Sequence, residues 1–354
     1  MSPLDTADIS VLICAYTEER YDDLLAAVAS VQQQTLLPTE IILVIDHNRL
    51  LYTRVKQALP AITVIENRQA RGLSGARNSG ILVAKGHFLA FLDDDAMAAP
   101  SWLQAISECF RNKAVLGVGG TILPLWLEGC KPDWLPEEFY WVVGCTYRGM
   151  PRSTTIIRNP IGANMAFRRE VFDKVGGFRT DIGRVGTLPL GCEETELCIR
   201  AHQHWVQRVF LYRPDASVSH RVSPRRTKLS YYIARCYAEG RSKAAISRYV
   251  GAKDSLTSEY NYVLHTLPLG IVRNLVAALW YFKFARMQRV LAIVLGLVMT
   301  MFGYLVGRVF VKNVTIVGDA PSIAPLDAVI ADLPETLPAY AALTSSSEQN
   351  QSLT

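Results

Sequence analysis

The 354-residue chain carries 37 Lys and Arg against 32 Asp and Glu, a formal net charge of +5, and is 50% hydrophobic but only 19% charged. That balance excludes a disordered chain, the unperiodic glycines and prolines exclude a collagen-like one, and the length suffices for one large core or two ordinary ones. Seven cysteines, at 14, 109, 130, 145, 192, 198 and 236, form no CxxC pair, which argues against a disulfide framework or zinc cage and for reduced thiols in a cytosol-facing protein.

Through residue 125, short β-like apolar runs alternate with helical spacing. Ile9 to Cys14, Ile41 to Ile45, Ile62 to Ile65, His87 to Leu92 and Val115 to Ile122 predict strands, while Asp22 to Gln34 and Ser74 to Lys85 predict helices. This repetition predicts an α/β fold with a mainly parallel sheet flanked by helices. Ligands of such sheets sit at the carboxyl ends of strands, which directs attention to Ala15 to Glu19, Asp46 to Asn48, Glu66 to Gly75 and Asp93 to Asp95. Residues 124–160, broken by prolines and bearing Trp126, Trp134 and Trp141, predict a long loop that covers a site, receives a second substrate, or packs as a surface excursion. Regular patterns resume from Arg168 to Leu211, and a basic helical stretch runs from Lys228 to Tyr249.

Charge is unevenly spread. Residues 1–199 hold 19 basic and 23 acidic side chains, residues 200–312 hold 18 and 4, and residues 313–354 hold none and 5. The basic block contains the uncharged run Val290 to Gly307, fenced by Arg289 and Arg308, whose eighteen helical residues would span about 27 Å. It predicts a membrane-spanning helix; Tyr262 to Phe282, interrupted by Arg273, lies along the interface, re-enters or spans. A pair of buried core helices is the competing reading. No apolar segment opens the sequence, so nothing suggests secretion, and the catalytic domain is expected to face the cytoplasm. The tail 313–354, rich in Pro, Ala and Ser, predicts a flexible extension.

The candidate chemistry begins where Phe88 to Leu92 ends in Asp93, Asp94 and Asp95. Adjacent carboxylates repel, so the trio invites a counter-cation. On an extended chain Asp93 and Asp95 share one side and Asp94 takes the other, and the pair suits Mg²⁺ or Mn²⁺ with substrate phosphates completing its shell. An acidic turn capping the helix near Pro100 and Ser101 would look similar. The stretch Arg71-Gly72-Leu73-Ser74-Gly75-Ala76-Arg77-Asn78 joins a strand end to a helix start and suits a phosphate-bearing ligand, with Arg71, Ser74 and Arg77 as its candidates. Asp46 is a candidate partner for a base or ribose, or a solvated turn residue, and Tyr16 and Glu18 flank the same space. Glu193, Glu194 and Glu196 fall in a helix's first turn, where the macrodipole stabilises them; that explains their presence, and also suits a general base.

These pieces stand in the order found in the family 2 glycosyltransferases, which residues 8–250 resemble: Cys14-Ala15-Tyr16, Val44-Ile45-Asp46, Gly75-Ala76-Arg77-Asn78, Phe91-Leu92-Asp93-Asp94-Asp95 with Pro100, Gly162 to Arg169, Val175-Gly176-Gly177-Phe178, and the glutamates. The resemblance implies a GT-A fold, a nucleotide-diphosphate sugar donor, a DxD-held Mg²⁺ or Mn²⁺, and inversion at the anomeric carbon. Ala15, Tyr16, Glu18, Asp46, Arg71, Ser74, Arg77, Asp93 and Asp94 are then donor-binding candidates, and Asp95, Asp93 and His220 metal candidates. His220 follows the predicted strand Val206 to Leu211 by a short loop; an ordinary surface histidine is the alternative. Where the family shows Glu-Asp this chain has Glu193-Glu194, so Glu194 is the base by position, with Glu193 and Glu196 as alternatives.

The Gln-x-x-Arg-Trp signature of processive synthases is missing, which implies single-sugar addition. Ser219 to Arg226 and Tyr231 to Gly240 stand in its place and, with the membrane segment, resemble the glucosyl-dolichyl phosphate glucuronosyltransferase branch, implying a lipid-linked or glycan acceptor. Arg221, Arg225 and Arg226 would hold the donor diphosphate or an acceptor lipid phosphate, or form a solvated face. The expected organisation is a catalytic domain over 1–250, membrane-associated helices over 251–312 with 290–307 spanning, and the tail. A sugar-nucleotide pyrophosphorylase or phosphatase would want a Gly-rich, lysine-bearing loop where Ala15-Tyr16-Thr17-Glu18 stands, and a membrane-tethered scaffold would bind no nucleotide with metal. Nucleic acid is not expected as a partner, because the basic block abuts apolar segments.

Overall fold

In the computed structural model the described residues are 6–127, 131–183, 190–251, 259–281 and 284–310; the expected tail lies outside them, as does Cys130. The first half runs β1 (Thr6–Ala15), α1 (Tyr21–Gln32), β2 (Leu37–Ile45), α2 (Arg49–Ala58), β3 (Thr63–Glu66), α3 (Leu73–Val83) and β4 (Phe88–Asp93). There follow β5 (Ala96–Ala98), α4 (Trp102–Phe110), β6 (Val115–Trp126), β7 (Thr155–Ile157), β8 (Asn164–Arg168), α5 (Arg169–Val175), α6 (Glu193–His204), β9 (Val209–Val222) and α7 (Leu229–Tyr249). Two helices close the described chain, α8 (Leu267–Tyr281) and α9 (Phe284–Phe310).

β1 is buried on both faces, which is why its sequence is a near-continuous apolar run. Its side chains alternate between two cores: Val11 and Ile13 pack with α1 and α4, Leu12 with the α3 and α6 side. The sheet order is β3-β2-β1-β4-β8-β6-β9-β5, with β7 also on β9. β3, β2, β1 and β4 are mutually parallel, whereas β8 runs antiparallel between β4 and β6, and β5 and β7 run antiparallel to β9. The mixed sheet thus brings the ends of β1, β2 and β4 to the same edge as the β4–β5 turn. Trp102, fully buried at the start of α4, donates to Asn164 Oδ1 at 2.8 Å and locks β8 beneath that turn.

Within the aromatic stretch, Leu135, Phe139, Tyr140, Val142 and Val143 are buried in the core. Trp134 meets Tyr232 edge-on with ring centres 5.4 Å apart, and Trp141 Nε1 donates to Tyr262 Oη at 3.1 Å. The six described cysteines are all unpaired, and the segments Glu259–Trp280 and Phe284–Val309 are long and apolar enough to cross a membrane.

Candidate active site

A cavity of about 430 Å³ opens at the shared strand ends, lined by Tyr16 after β1, Asp46 after β2, Asp93 to Asp95 after β4, and by Arg20, Arg221, Arg225 and Arg226. Asp46 braces the wall: Oδ2 accepts from Gly72 N (2.9 Å) and Oδ1 from Asn67 Nδ2 (2.7 Å). Gly72, with φ +124°, makes the left-handed turn that aims its amide at Asp46 just before α3 begins.

Asp94 and Asp95 form a tight turn from β4 into β5, so the extended geometry that would send Asp94 away from its neighbours does not apply. One guanidinium holds both: Arg20 Nη2 lies 3.1 Å from Asp94 Oδ2, and Nη1 2.9 Å from Asp95 Oδ2. Nor do these acids cap α4, whose first turn receives no side-chain cap. His220 is also placed differently from expectation. It lies inside β9, paired with Ala96 of β5 and Pro124 of β6, and is buried.

Ligand atoms of Asp93, Asp95 and His220 all lie within 4.8 Å of one another. His220 Nε2 is 3.1 Å from Asp95 Oδ1 and 3.2 Å from Arg226 Nη1. Asp95 Oδ1 is buried and faces the His220 ring, inside a cluster of two carboxylates and one imidazole. The residues fit a divalent cation of the Mn²⁺ or Mg²⁺ kind. Burial would raise the Asp95 carboxyl, but His220, Arg226 and Arg20 outweigh it and hold it well below the usual range. Asp94 is pushed the other way by burial, offset by Arg20 and reinforced by the Asp95 and Asp93 charges.

The second acidic cluster is joined to the first through Arg77 of α3. Its Nη1 meets Glu193 Oε1 at 2.8 Å, and its Nη2 reaches Asp93 Oδ1 at 3.5 Å. Glu193 is buried on this cation, while Glu194, partly buried, forms no ion pair among the described residues. Burial first, then the Glu193 charge, push the Glu194 carboxyl up to about 8. Neither glutamate lines the cavity; both open α6, whose N-cap Cys192 has a left-handed φ of +75°. That turn is held from α7, where Glu239 Oε1 accepts from Cys192 Sγ (3.3 Å) and Ser242 Oγ from Gly191 N (3.2 Å). Glu196 instead pairs with Arg200 one turn on, 2.7 Å away.

The remaining expected residues scatter. Ala15 is buried in the core, Glu18 is exposed, and Ser74 is buried, donating to Ile182 O at 3.3 Å. Arg71 is exposed and donates to His47 O at 3.4 Å, away from the cavity lining. Arg20, Asp23 and Tyr231 line the cavity without having been singled out, and Asp23 holds Arg221 at 2.7 Å. A basic residue one position beyond the strand-end segment Ala15 to Glu19 was the available signal for Arg20.

Residues 10–176 match the family model described as Glycosyl transferase family 2. The chain is 33% identical over 304 residues to glucosyl-dolichyl phosphate glucuronosyltransferase of Haloferax volcanii, covering 84% of this chain and 96% of that protein. It is 34% identical over 91 residues to the Escherichia coli UDP-Glc:alpha-D-GlcNAc-diphosphoundecaprenol beta-1,3-glucosyltransferase, 25% of this chain and 35% of that one. Among solved structures it is similar to a mannosyltransferase from Pyrobaculum calidifontis in complex with GDP-Man and Mn²⁺, with a TM-score of 0.52, 16% identity, and coverage of 85% and 91% of the two chains. At that identity the likeness is one of fold.

Proposed function

The chain belongs to the family 2 glycosyltransferases, and from that premise we propose that it moves one sugar from a nucleotide-diphosphate donor to a hydroxyl of a lipid-linked acceptor, inverting the anomeric carbon, at the face of a membrane. The observation that carries the reading is the single cavity in which Asp93, Asp94 and Asp95 meet Arg20, Arg221, Arg225 and Arg226 beside Tyr16. Anionic and cationic side chains packed together there suit a diphosphate that arrives with a divalent ion. Asp93, Asp95 and His220 are the residues that would hold Mg²⁺ or Mn²⁺, and what such an ion supplies is neutralisation of charge on the leaving diphosphate.

The chain's own residues do the rest. Tyr16, exposed at the cavity wall, offers a stacking face for the base, and Arg226 offers its guanidinium to the diphosphate. Glu194 takes the proton from the acceptor hydroxyl, which attacks from the side opposite the leaving group. Arg77, paired with both Asp93 and Glu193, ties the acidic strand end to the start of α6 that carries Glu194. The glucuronosyl donor in the name of the Haloferax volcanii relative would bring a carboxylate, and Arg225, which lines the cavity without an ion pair among the described residues, is the cation available to it.

Calorimetric titration with UDP, GDP and TDP sugars, with and without Mn²⁺, tests the reading. One nucleotide should bind with an affinity that Mn²⁺ raises at least tenfold; Asp95→Ala should remove that gain, and Glu194→Gln should keep it while abolishing transfer. Metal-independent binding, or none, would remove the transferase mechanism described here.

A further inference from the structure

α7 and α9 lie side by side and run the same way over about four turns. Tyr232 Oη donates to Ala292 O at 2.6 Å near one end, and Arg248 donates to Arg308 O near the other. Between them the backbones touch: a Cβ on Gly240 would collide with Thr300 O, and one on Gly303 with Tyr237 O. The sixteen residues separating these end contacts correspond to about 24 Å of helix, most of the thickness of a bilayer's hydrocarbon core.

The opposite flank of α7 carries ionic groups. Within the helix Arg235 Nη1 meets Glu239 Oε2 at 2.8 Å; Lys243 Nζ meets Glu259 Oε1 at 2.6 Å, and Glu259 Oε2 in turn meets Arg158 Nη1 of the catalytic domain at 2.8 Å. At the end of α7, Tyr249 donates to Asp181 Oδ2 at 2.6 Å. If α9 crossed a bilayer, these charges would have to share its depth, at a cost of several kcal/mol for each group left without water. α8 is anchored in the same manner: Arg273, midway along it, reaches buried Glu138 at 2.7 Å.

The outer faces are the reverse. Phe284, Leu291, Val294, Val298, Leu305 and Val309 form one exposed stripe along the whole of α9, at intervals of three, four and seven residues, and Leu269, Val272, Val276 and Leu279 continue it on α8. No acidic residue occurs between 260 and 312, whereas Arg273, Arg286, Arg289 and Arg308 do. That is the charge an anionic leaflet attracts.

We infer that α8 and α9 lie in the plane of an anionic bilayer, outer stripe sunk into one leaflet and inner stripe on α7, so that the catalytic domain rests on the membrane without crossing it. The inference builds on the membrane association proposed above. It is tested with the full chain bound to phosphatidylcholine–phosphatidylglycerol vesicles, carrying a depth-sensitive fluorophore on an unnatural residue at position 284, 298 or 309. Quenching by lipids brominated near the headgroup and near the bilayer centre reads the depth. The in-plane arrangement gives all three positions the same shallow depth, their quenching ratios within about twofold. A deep position 298 between shallow 284 and 309 overturns it and leaves membrane association standing; failure to float with vesicles overturns membrane association itself.

Discussion

Arg77 joins the two acidic clusters: one terminal nitrogen sits 2.8 Å from Glu193 Oε1 and the other 3.5 Å from Asp93 Oδ1. Lysine has the charge but not the fork, so Arg77→Lys must abandon one carboxylate. We expect kcat/KM to fall about 100-fold, roughly 2.7 kcal/mol of transition-state stabilisation, together with a lower Tm. Steady-state kinetics and thermal melts check this; wild-type kinetics in a destabilised variant would reduce Arg77 to a packing role.

Glu194 supplies a prediction about pH with a definite sign. Its carboxyl is raised from 4.5 to about 8 in the folded chain, so the folded state holds its proton more tightly than the unfolded one. Stability contributed by this group is present below pH 4.5 and is lost as pH climbs through 8. Glu194→Gln removes the titration, and should melt about 2–4 °C higher than wild type at pH 8.5 for each kcal/mol recovered, with no such advantage at pH 4. An equal difference at both pH values would show that the substitution acts otherwise.

Glu239 holds the Cys192 turn and adds negative charge near Glu194. Glu239→Gln should move the acid limb of the pH–kcat profile to lower pH and lower kcat about tenfold, with donor affinity unchanged. Glu239→Asp should restore part of the rate. An unmoved limb would separate Glu239 from the proton transfer.

Arg20 occupies Asp95, a carboxylate that a divalent ion would need. Arg20→Ala should therefore bind Mn²⁺ alone several-fold more tightly, as read by the electron paramagnetic resonance signal of the free ion, because a competing cation has gone. Unchanged or weaker Mn²⁺ binding would end the competition idea.

Gly303 has backbone where a side chain would be. Gly303→Leu should cost about 1–3 kcal/mol or more in melts by prising α9 from α7, while a fluorophore on the outer stripe still reports lipid contact. A Tm equal to wild type would mean that the two helices are not tightly joined in solution.

The parallel half of the sheet was legible because β1, β2 and β4 are apolar runs that end abruptly in polar residues. The antiparallel half was not, since β5 and β7 have three residues each and periodicity does not encode direction. A short loop was expected between Leu211 and His220, yet β9 carries straight through Pro214, with the ladder to β6 slipping between Gly120 and Ile122; that irregularity hid the strand position of His220. The acidic clusters were visible as residue types, but their connection was not. It depends on one arginine more than a hundred positions from Glu193, and only the folded sheet supplies that proximity.

From Val209 to Tyr249 the polypeptide passes directly from β9, past His220 and Arg226, into the helix against which α9 lies. Whatever tugs on the outer flank of α9 therefore pulls on the same thread that carries His220. Detergent extraction should loosen nucleotide affinity well before it melts the strands, and a preparation that looks folded but idle ought to recover when given back a bilayer.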